Sequence, residues 1–324
     1  MKATRNISLL AVIALIAMLF ATACGADRTS QGPARLAVAT GGTAGVYFPL
    51  GGAFANIINE KVSDVTANAE STGASVENVN LLNNGDVDFA TIQNDISYYA
   101  FTGTEMFSDV AAMTNLRGVA TLYPEVVQII TLANSNIRSV EDLRGRRVAV
   151  GAPGSGVEAN ARQVLTAHGI GYNDIRADYL SFAEAADALK DGNVEAAFLT
   201  AGTPTAAVTD LATTHSVRIV PIASAMAERL IADFPFYNQV RIPAGTYRNQ
   251  AEDVETVAVM AMLTVREGLE EEMVYNITKA LFENLDMLAA AHSRGGDVVL
   301  ETATDGMSLD LHPGAARYYS EMGL

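Results

Sequence analysis

The chain has 324 residues, of which 49% are hydrophobic, and it carries a formal net charge of −16 at pH 7. This acidic balance argues against nucleic acid as a partner, because phosphate binding needs a basic stripe and the sequence shows none. A strongly charged surface also favours a soluble monomer. A chain of this length exceeds what one hydrophobic core commonly organises, so two lobes of ~100–150 residues each are expected.

Residues 1–23 have the layout of a secretory signal peptide. Lys2 and Arg5 precede an apolar run, and three small residues precede Cys24. Cys24 is the only cysteine, and its position is similar to that of the acylated cysteine in a bacterial lipobox. We therefore expect an exported protein, periplasmic or on the outer face of the cytoplasmic membrane, anchored to lipid through Cys24. Residues 24–33 then form a tether. An ordinary signal peptide with an unmodified cysteine is the alternative.

Two stretches about 110 residues apart repeat one pattern, a strand followed by a glycine-rich loop and a helix. They occupy residues 36–47 and 147–158. A second pattern, a helix that stops at glycine before a buried strand, is repeated at 77–90 and 184–197. Each pair predicts one βαβ-type lobe. With an amphipathic helical segment at 270–291, the sequence predicts a two-lobed α/β protein with a cleft.

The predicted strands end in loops that carry hydrogen-bonding residues. Ligands of open α/β sheets bind beyond the carboxyl ends of the strands, and a helix N-terminus there suits a carboxylate. Ser75 is interpreted as a helix N-cap, and Tyr47 and Tyr237 as contact or core aromatics. The expected ligand-binding residues are Thr43, Tyr47, Ser75, Gln93, Ser155, Gly156, Val157, Thr200, Thr203 and Tyr237.

Catalytic and metal-binding patterns are weak. Residues 154–159 read G-x-G-x-x-A, a reduced dinucleotide fingerprint whose acidic partner would be Asp174 or Asp178. A serine is present in this loop without the spacing of a nucleophile elbow. The histidines are scattered and form no ligand-like spacing. We therefore expect no enzyme activity, no cofactor and no metal, with a dinucleotide-dependent enzyme as the alternative.

Four blocks in order carry a resemblance to a known family. They are GGTAGVYFP at 41–49, STGASVEN at 71–78, GAPGSG at 151–156 and IPAGTY at 242–247. On these blocks the sequence resembles the TAXI family of solute-binding proteins, the extracytoplasmic components of one class of TRAP transporters. The resemblance covers essentially all of the mature chain. Phe48 departs from the family pattern, where a tyrosine is usual.

The resemblance implies a periplasmic-binding-protein type II fold and delivery of solute to integral membrane subunits, driven by a sodium gradient. It implies a carboxylate-bearing solute such as glutamate, glutamine, a dicarboxylate or a 2-oxoacid. An exported sensory lipoprotein of the same fold is a further alternative.

The apolar, β-branched stretches at 125–133 and 255–264 are interpreted as strands that cross between the lobes. They would form the hinge. Lobe 1 would then comprise 34–129 and 257–324, and lobe 2 would comprise 130–256.

Overall fold

The computed structural model describes residues 33–324. The predicted signal peptide, Cys24 and nearly all of the tether lie outside the described residues. The strands are β1 (Ala34–Ala39), β2 (Val65–Glu70), β3 (Phe89–Gln93), β4 (Leu116–Leu132), β5 (Arg147–Ala149), β6 (Arg176–Asp178), β7 (Ala196–Ala201), β8 (Val217–Val220), β9 (Asn238–Ile242) and β10 (Val254–Arg266).

Helices alternate with these strands in the first two thirds of the chain and dominate its last third. They are α1 (Tyr47–Lys61), α2 (Ser75–Asn84), α3 (Asn94–Thr102), α4 (Gly156–Ala167), α5 (Phe182–Lys190), α6 (Ala206–Thr214), α7 (Ser224–Asp233), α8 (Glu271–Phe282), α9 (Leu285–Ala291) and α10 (Pro313–Met322). Short 3₁₀ turns lie at Glu105–Phe107, Val140–Leu143, Tyr172–Asp174, Ser293–Asp297 and Leu300–Thr302. No helix in this described part of the chain is long and apolar enough to cross a membrane.

The strands form one sheet in the order β2-β1-β3-β10-β4-β7-β5-β6, with β8 paired to β4 and β9 paired to β10. We call β2, β1 and β3 the first half of this sheet, and β7, β5 and β6 the second half. Parallel pairs join β1 to β3, β5 to β7 and β5 to β6. Both halves are therefore built from βαβ units, as the repeated sequence patterns predicted.

Strands β4 and β10 pair antiparallel with each other and lie between the two halves. β10 pairs with β3 through 261–265 and with β9 through 254–258. β4 pairs with β7 through 126–130. The predicted crossing strands are therefore present, although β4 begins earlier than expected, at Leu116.

Helices cover both faces of the sheet. Along α1, the buried residues Leu50, Phe54, Ile57 and Ile58 follow a helical spacing and pack against the first half. Phe54 meets Phe89 of β3 edge-on, with ring centroids 5.4 Å apart. β3 is buried on both faces, and three of its five residues, Phe89, Ala90 and Ile92, are apolar. The C-terminal helices return to this same core, where α8 buries side chains beside α1.

The close approach of α1 to β1 generates a prediction about two adjacent glycines. A Cβ on Gly51 would lie 2.3 Å from Cγ2 of Thr40, whereas a Cβ on Gly52 would meet nothing within 4 Å. Thr40 is fully buried, and its hydroxyl donates to the Glu70 carbonyl, so it has no room to move. We expect Gly51→Ala to destabilise the protein by roughly 1–3 kcal/mol through overpacking.

Gly52→Ala is the matched control. It adds a better helix former without a clash and should stabilise the protein by up to ~1 kcal/mol. Urea unfolding of both variants measures the difference. Equal stability of the two variants would contradict the packing of α1 against Thr40.

Candidate binding site

A cavity lies between the two halves of the sheet, beyond the carboxyl ends of β1, β3, β5 and β7. It encloses ≈ 600 Å³ of empty space, part of it open to solvent. The first half contributes Gly41, Gly45 and Gln93, and the second half contributes Ala152 and Thr200. This is the edge of the sheet at which the sequence predicted a ligand site.

Four helices begin at the wall of this cavity. α1 starts at Tyr47, α2 at Ser75, α4 at Gly156 and α5 at Phe182, and each of these residues lines the cavity. The first turn of a helix leaves backbone N–H groups without intrahelical partners and carries partial positive charge. No lysine or arginine is among the described residues that line the wall. The helix N-termini therefore supply the positive potential that an anionic group would meet.

Most of the predicted contact residues line the cavity, namely Tyr47, Ser75, Gln93, Ser155, Gly156, Val157 and Thr200. Thr43, Thr203 and Tyr237 do not. Thr43 is exposed on the loop before α1, and Thr203 is buried just after β7. Tyr237 is buried, and its hydroxyl accepts from Asn160 and donates to Gln163. Ligand binding by the full predicted set stays a prediction.

Ser75 does not act as the N-cap that the sequence suggested. It is the first residue of α2, and the preceding Ala74 has φ 81°, a backbone conformation that L-residues rarely adopt. The Ser75 hydroxyl accepts a hydrogen bond from the backbone N–H of Gln93 at 3.1 Å. The side chain is therefore used to join α2 to the end of β3, and the strained residue Ala74 lies in the cavity wall beside it.

Glu125 lines the cavity, whereas its sequence pattern predicted only a place on a crossing strand. Its side chain is 3% exposed and lines the cavity. The hydroxyl of Tyr47 donates to Glu125 Oε2 at 2.6 Å and lies 3.5 Å from the Ser75 hydroxyl. The sequence feature that could have indicated this role is a single acidic residue in the middle of an apolar strand. Such a residue seldom enters a core without a partner or a function.

The pKa of Glu125 is raised to about 8, chiefly by burial and in part by the negative charge of Asp95, while the hydrogen bond from Tyr47 opposes the rise. The carboxyl therefore keeps its proton at neutral pH. Burial and the nearby Glu125 also raise the pKa of the Tyr47 hydroxyl well above its usual range. An anion that entered the cavity at neutral pH would meet no fixed negative charge from Glu125.

Two polar atoms at the cavity wall lack hydrogen-bond partners within the described residues. They are Oε1 of Gln93 and Oγ1 of Thr200, and both are buried. An unpaired buried polar group costs about 1–3 kcal/mol, so nearly all such groups in folded proteins are paired. These two atoms are therefore candidates for direct contact with a bound ligand.

The dinucleotide alternative finds little support in this geometry. Asp178 ends β6, but it lies in a separate surface depression that also contains Arg147. It does not line the cavity. Across residues 33–324, no group of three or more His, Cys, Asp and Glu side chains is placed to hold a metal ion.

The raised pKa of Glu125 generates a prediction about stability. Its pKa is higher in the folded chain, about 8, than its usual value of 4.5. The folded state therefore holds the proton between these values, and stability that is fully present below pH ~4.5 is lost as the pH rises through about 8. Relative to Glu125→Gln, which cannot titrate, the free energy of unfolding of the wild type should fall by on the order of 4 kcal/mol across this window.

Urea unfolding at a series of pH values measures this difference. Asp95 is present in both proteins, so its own titration cancels. A difference that does not change between pH ~5 and ~9 would show that Glu125 has an ordinary pKa.

Solved structures with this fold include several binding proteins. The chain is similar to the periplasmic aliphatic sulphonate binding protein SsuA from Escherichia coli, at 18% identity over 89% of this chain and 84% of that chain, with a TM-score of 0.50. It is similar to PhnD1 from Prochlorococcus marinus in complex with methylphosphonate, at 13% identity over 82% and 90%, with a TM-score of 0.55. A putative L-cystine ABC transporter from Listeria monocytogenes matches at 14% identity over 82% and 98%, with a TM-score of 0.50. The expected periplasmic-binding-protein fold is confirmed.

The resemblance to the TAXI family is wrong. The family model that matches residues 38–323 is that of the NMT1-like family, and the similar solved structures are sulphonate, phosphonate and cystine proteins. The sodium-gradient mechanism that the resemblance implied loses its basis. A block such as 151–156 is not specific to the TAXI family, because any tight turn from a strand into a helix at such a cavity favours glycine and small residues. The chain belongs to the NMT1-like family.

Proposed function

We propose that this protein is the exported solute-binding component of a membrane transporter, and that it captures a small organic acid in the cavity. The observation that carries the proposal is the convergence of four helix N-termini on a wall with two buried, unpartnered polar atoms, Gln93 Oε1 and Thr200 Oγ1. Backbone N–H groups would hold the acid group, and the two side chains would bind neighbouring polar atoms of the solute. The protein binds its solute and does not transform it.

The charges around the cavity favour a solute with an acid group. Helix N-termini provide positive potential, and the only acidic side chain in the described wall, that of Glu125, keeps its proton at neutral pH. The similar solved proteins are named for sulphonates, a phosphonate and cystine, each of which carries an acid group. Amino acids and other small carboxylates fit this chemistry, and a carboxylate is the acid group that we propose.

Capture would occur by closure of two lobes about β4 and β10. The proposed lobes are 34–129 with 257–324, and 130–256. Two backbone hydrogen bonds link the proposed lobes near the cavity within the described residues. The N–H of Glu77 donates to the Gly154 carbonyl at 3.0 Å, and the N–H of Ala207 donates to the Ala44 carbonyl at 3.4 Å. Solute contacts to both sides would favour the closed form over an open one. Membrane subunits, of ABC type by analogy with one similar protein, would recognise that closed form.

Export is part of the same proposal. The signal peptide would direct the chain out of the cytoplasm, and acylation of Cys24 would hold it at the membrane. Two of the similar structures are of proteins described as periplasmic or as part of an ABC transporter. Mass spectrometry of the membrane fraction for a diacylglycerol on Cys24 tests the anchor.

Thr200→Val provides a direct test of binding. Because Thr200 Oγ1 has no partner within residues 33–324, its removal should leave the melting temperature of the protein alone unchanged or slightly raised. A screen by thermal shift against amino acids, hydroxy acids, oxo acids, sulphonates and phosphonates should identify an acid that stabilises the wild type. We expect the variant to bind that acid roughly three- to tenfold more weakly by calorimetry, the value of one hydrogen bond.

Thr205→Val is the matched control. Thr205 is fully buried, but its hydroxyl donates to Gly202 and accepts from Gln128, both at 2.9 Å. This variant should lose roughly 1–3 kcal/mol of stability. No response of the wild type to any acid would overturn the proposed function.

Closure makes a separate prediction for the protein in solution. Small-angle scattering should give a smaller radius of gyration with the identified acid than without it, because the closed form is more compact. Thr200→Val at a saturating concentration should show the same decrease. An unchanged radius of gyration on binding would contradict closure and leave binding itself in place.

A further inference from the structure

The side chain of Gln93 contacts both the cavity and the interior of the second half. Its Nε2 donates to Asn160 Oδ1 at 2.9 Å. Its Oε1 lies against Gly156 at the start of α4, where an added Cβ would come within 1.5 Å of it. An amide presents an acceptor on one side and a donor on the other. The orientation of this amide therefore decides whether a solute meets an acceptor or a donor.

Asp95 fixes that orientation through Asn160. Asn160 is fully buried, and its Nδ2 donates to Asp95 Oδ2 at 3.0 Å and to the Tyr237 hydroxyl at 2.8 Å. The other Asp95 oxygen accepts from the backbone N–H of Ile96 at 2.8 Å. An ionised carboxylate only accepts, so the Asn160 amino group must face it. Asn160 Oδ1 then faces Gln93, which must turn its amino group toward Asn160 and its Oε1 toward Gly156 in the cavity wall.

Asp95 is ionised at neutral pH. Burial raises its pKa to about 6, and the hydrogen bonds from Ile96 and Asn160 oppose that rise. The orientation of both amides is therefore defined at pH 7.5.

We propose that Asp95 and Asn160 are positioning residues which hold the Gln93 amide with its acceptor toward the cavity, so that the site selects acids with a hydrogen-bond donor beside the acid group. The favoured solutes are 2-hydroxy and 2-amino acids, and the disfavoured ones are 2-oxo acids. This inference rests on the proposed binding function and specifies its solute class.

The preference for 2-hydroxy and 2-amino acids follows because the buried acceptor Gln93 Oε1 needs a hydrogen-bond donor. A hydroxyl or ammonium group at C2 donates to Gln93 Oε1, whereas a 2-oxo group brings a second acceptor against it. Sites built to hydrogen-bond a substrate group reject analogues that lack it, because the buried partner stays unpaired. We expect the 2-oxo acid to bind at least about tenfold more weakly than the 2-hydroxy acid with the same carbon skeleton.

Calorimetry at pH 7.5 with two ligand pairs tests this. The pairs are lactate with pyruvate and 2-hydroxyglutarate with 2-oxoglutarate, and the corresponding 2-amino acids serve as further donors. The members of each pair carry equal charge, so the ratio of their dissociation constants reports hydrogen bonding and not net charge.

Asp95→Asn should change this ratio. The new amide would keep its carbonyl toward the Ile96 N–H and turn its amino group to Asn160, and both Asn160 and Gln93 would then have to turn over. We expect the preference for the hydroxy acid to shrink at least tenfold or to reverse. Asp88→Asn is the matched control, because it removes one acid at the other end of β3, where Asp88 pairs with Arg266. For Asp88→Asn, the ratio of the dissociation constants of the oxo and hydroxy acids should equal that of the wild type.

Gln93→Leu tests the same inference and leaves Asp95 in place. It is the variant to use if Asp95→Asn shows no cooperative melting transition. It should bring the ratio close to one by weakening the hydroxy acid alone. Equal binding of both acids by the wild type, or a ratio that neither variant changes, would overturn the inference and leave the proposed function standing. Binding of none of these acids, nor of any other acid in the wider screen, would overturn the proposed function and the inference together.

Discussion

The antiparallel pairing of β4 with β10 is the constraint on which the rest of the structure depends. β10 pairs with β3 of the first half and β4 pairs with β7 of the second half, so the register between β4 and β10 sets where the two halves face each other. Ala261 of β10 lies between Gln93 and Tyr123 in adjacent strands. Val127 of β4 lies opposite Thr200. The polar atoms of the cavity wall are therefore positioned by backbone pairing between segments that lie far apart in the sequence.

The same pairing explains why an acid can lie at the centre of the molecule. Residues 123 and 125 of β4 face the same side, and the strand places Glu125 in the cavity wall, where Tyr47 donates to it. Burial there costs an ionised carboxylate far more than a protonated one. The helix N-termini around it act in the opposite sense and favour an incoming anion. The wall is thus receptive to an acid although the chain as a whole is strongly negative, because long-range repulsion is screened beyond ~8–10 Å in physiological salt.

Local patterns in the sequence predicted the elements, and non-local contacts decided what those elements do. The repeated strand, loop and helix at 36–47 and 147–158 correctly placed β1, α1, β5 and α4, because periodicity and glycine positions act within a few residues. The role of Glu125 could not be predicted in this way. Its partner Tyr47 is 78 residues away in the sequence and contacts it only in the folded chain. Thr43 and Tyr237 show the same limit. Each has a side chain suited to binding, and the backbone directs one to solvent and the other into the core.

The carboxylate of the buried Asp95 accepts hydrogen bonds from the Ile96 N–H and from Asn160. A carboxylate in such surroundings costs stability that an apolar side chain would not. Its neighbours Asn160, Tyr237 and Gln163 are polar too, and their donors and acceptors form a chain in which each group fixes the next. A chain of this kind holds one arrangement of amides, because reversing any member leaves like groups facing each other. That chain ends at the side-chain amide of Gln93 in the cavity wall. The stability lost by burying Asp95 is therefore explained by what Asp95 does: from outside the cavity, it determines whether Gln93 presents an acceptor or a donor to a solute.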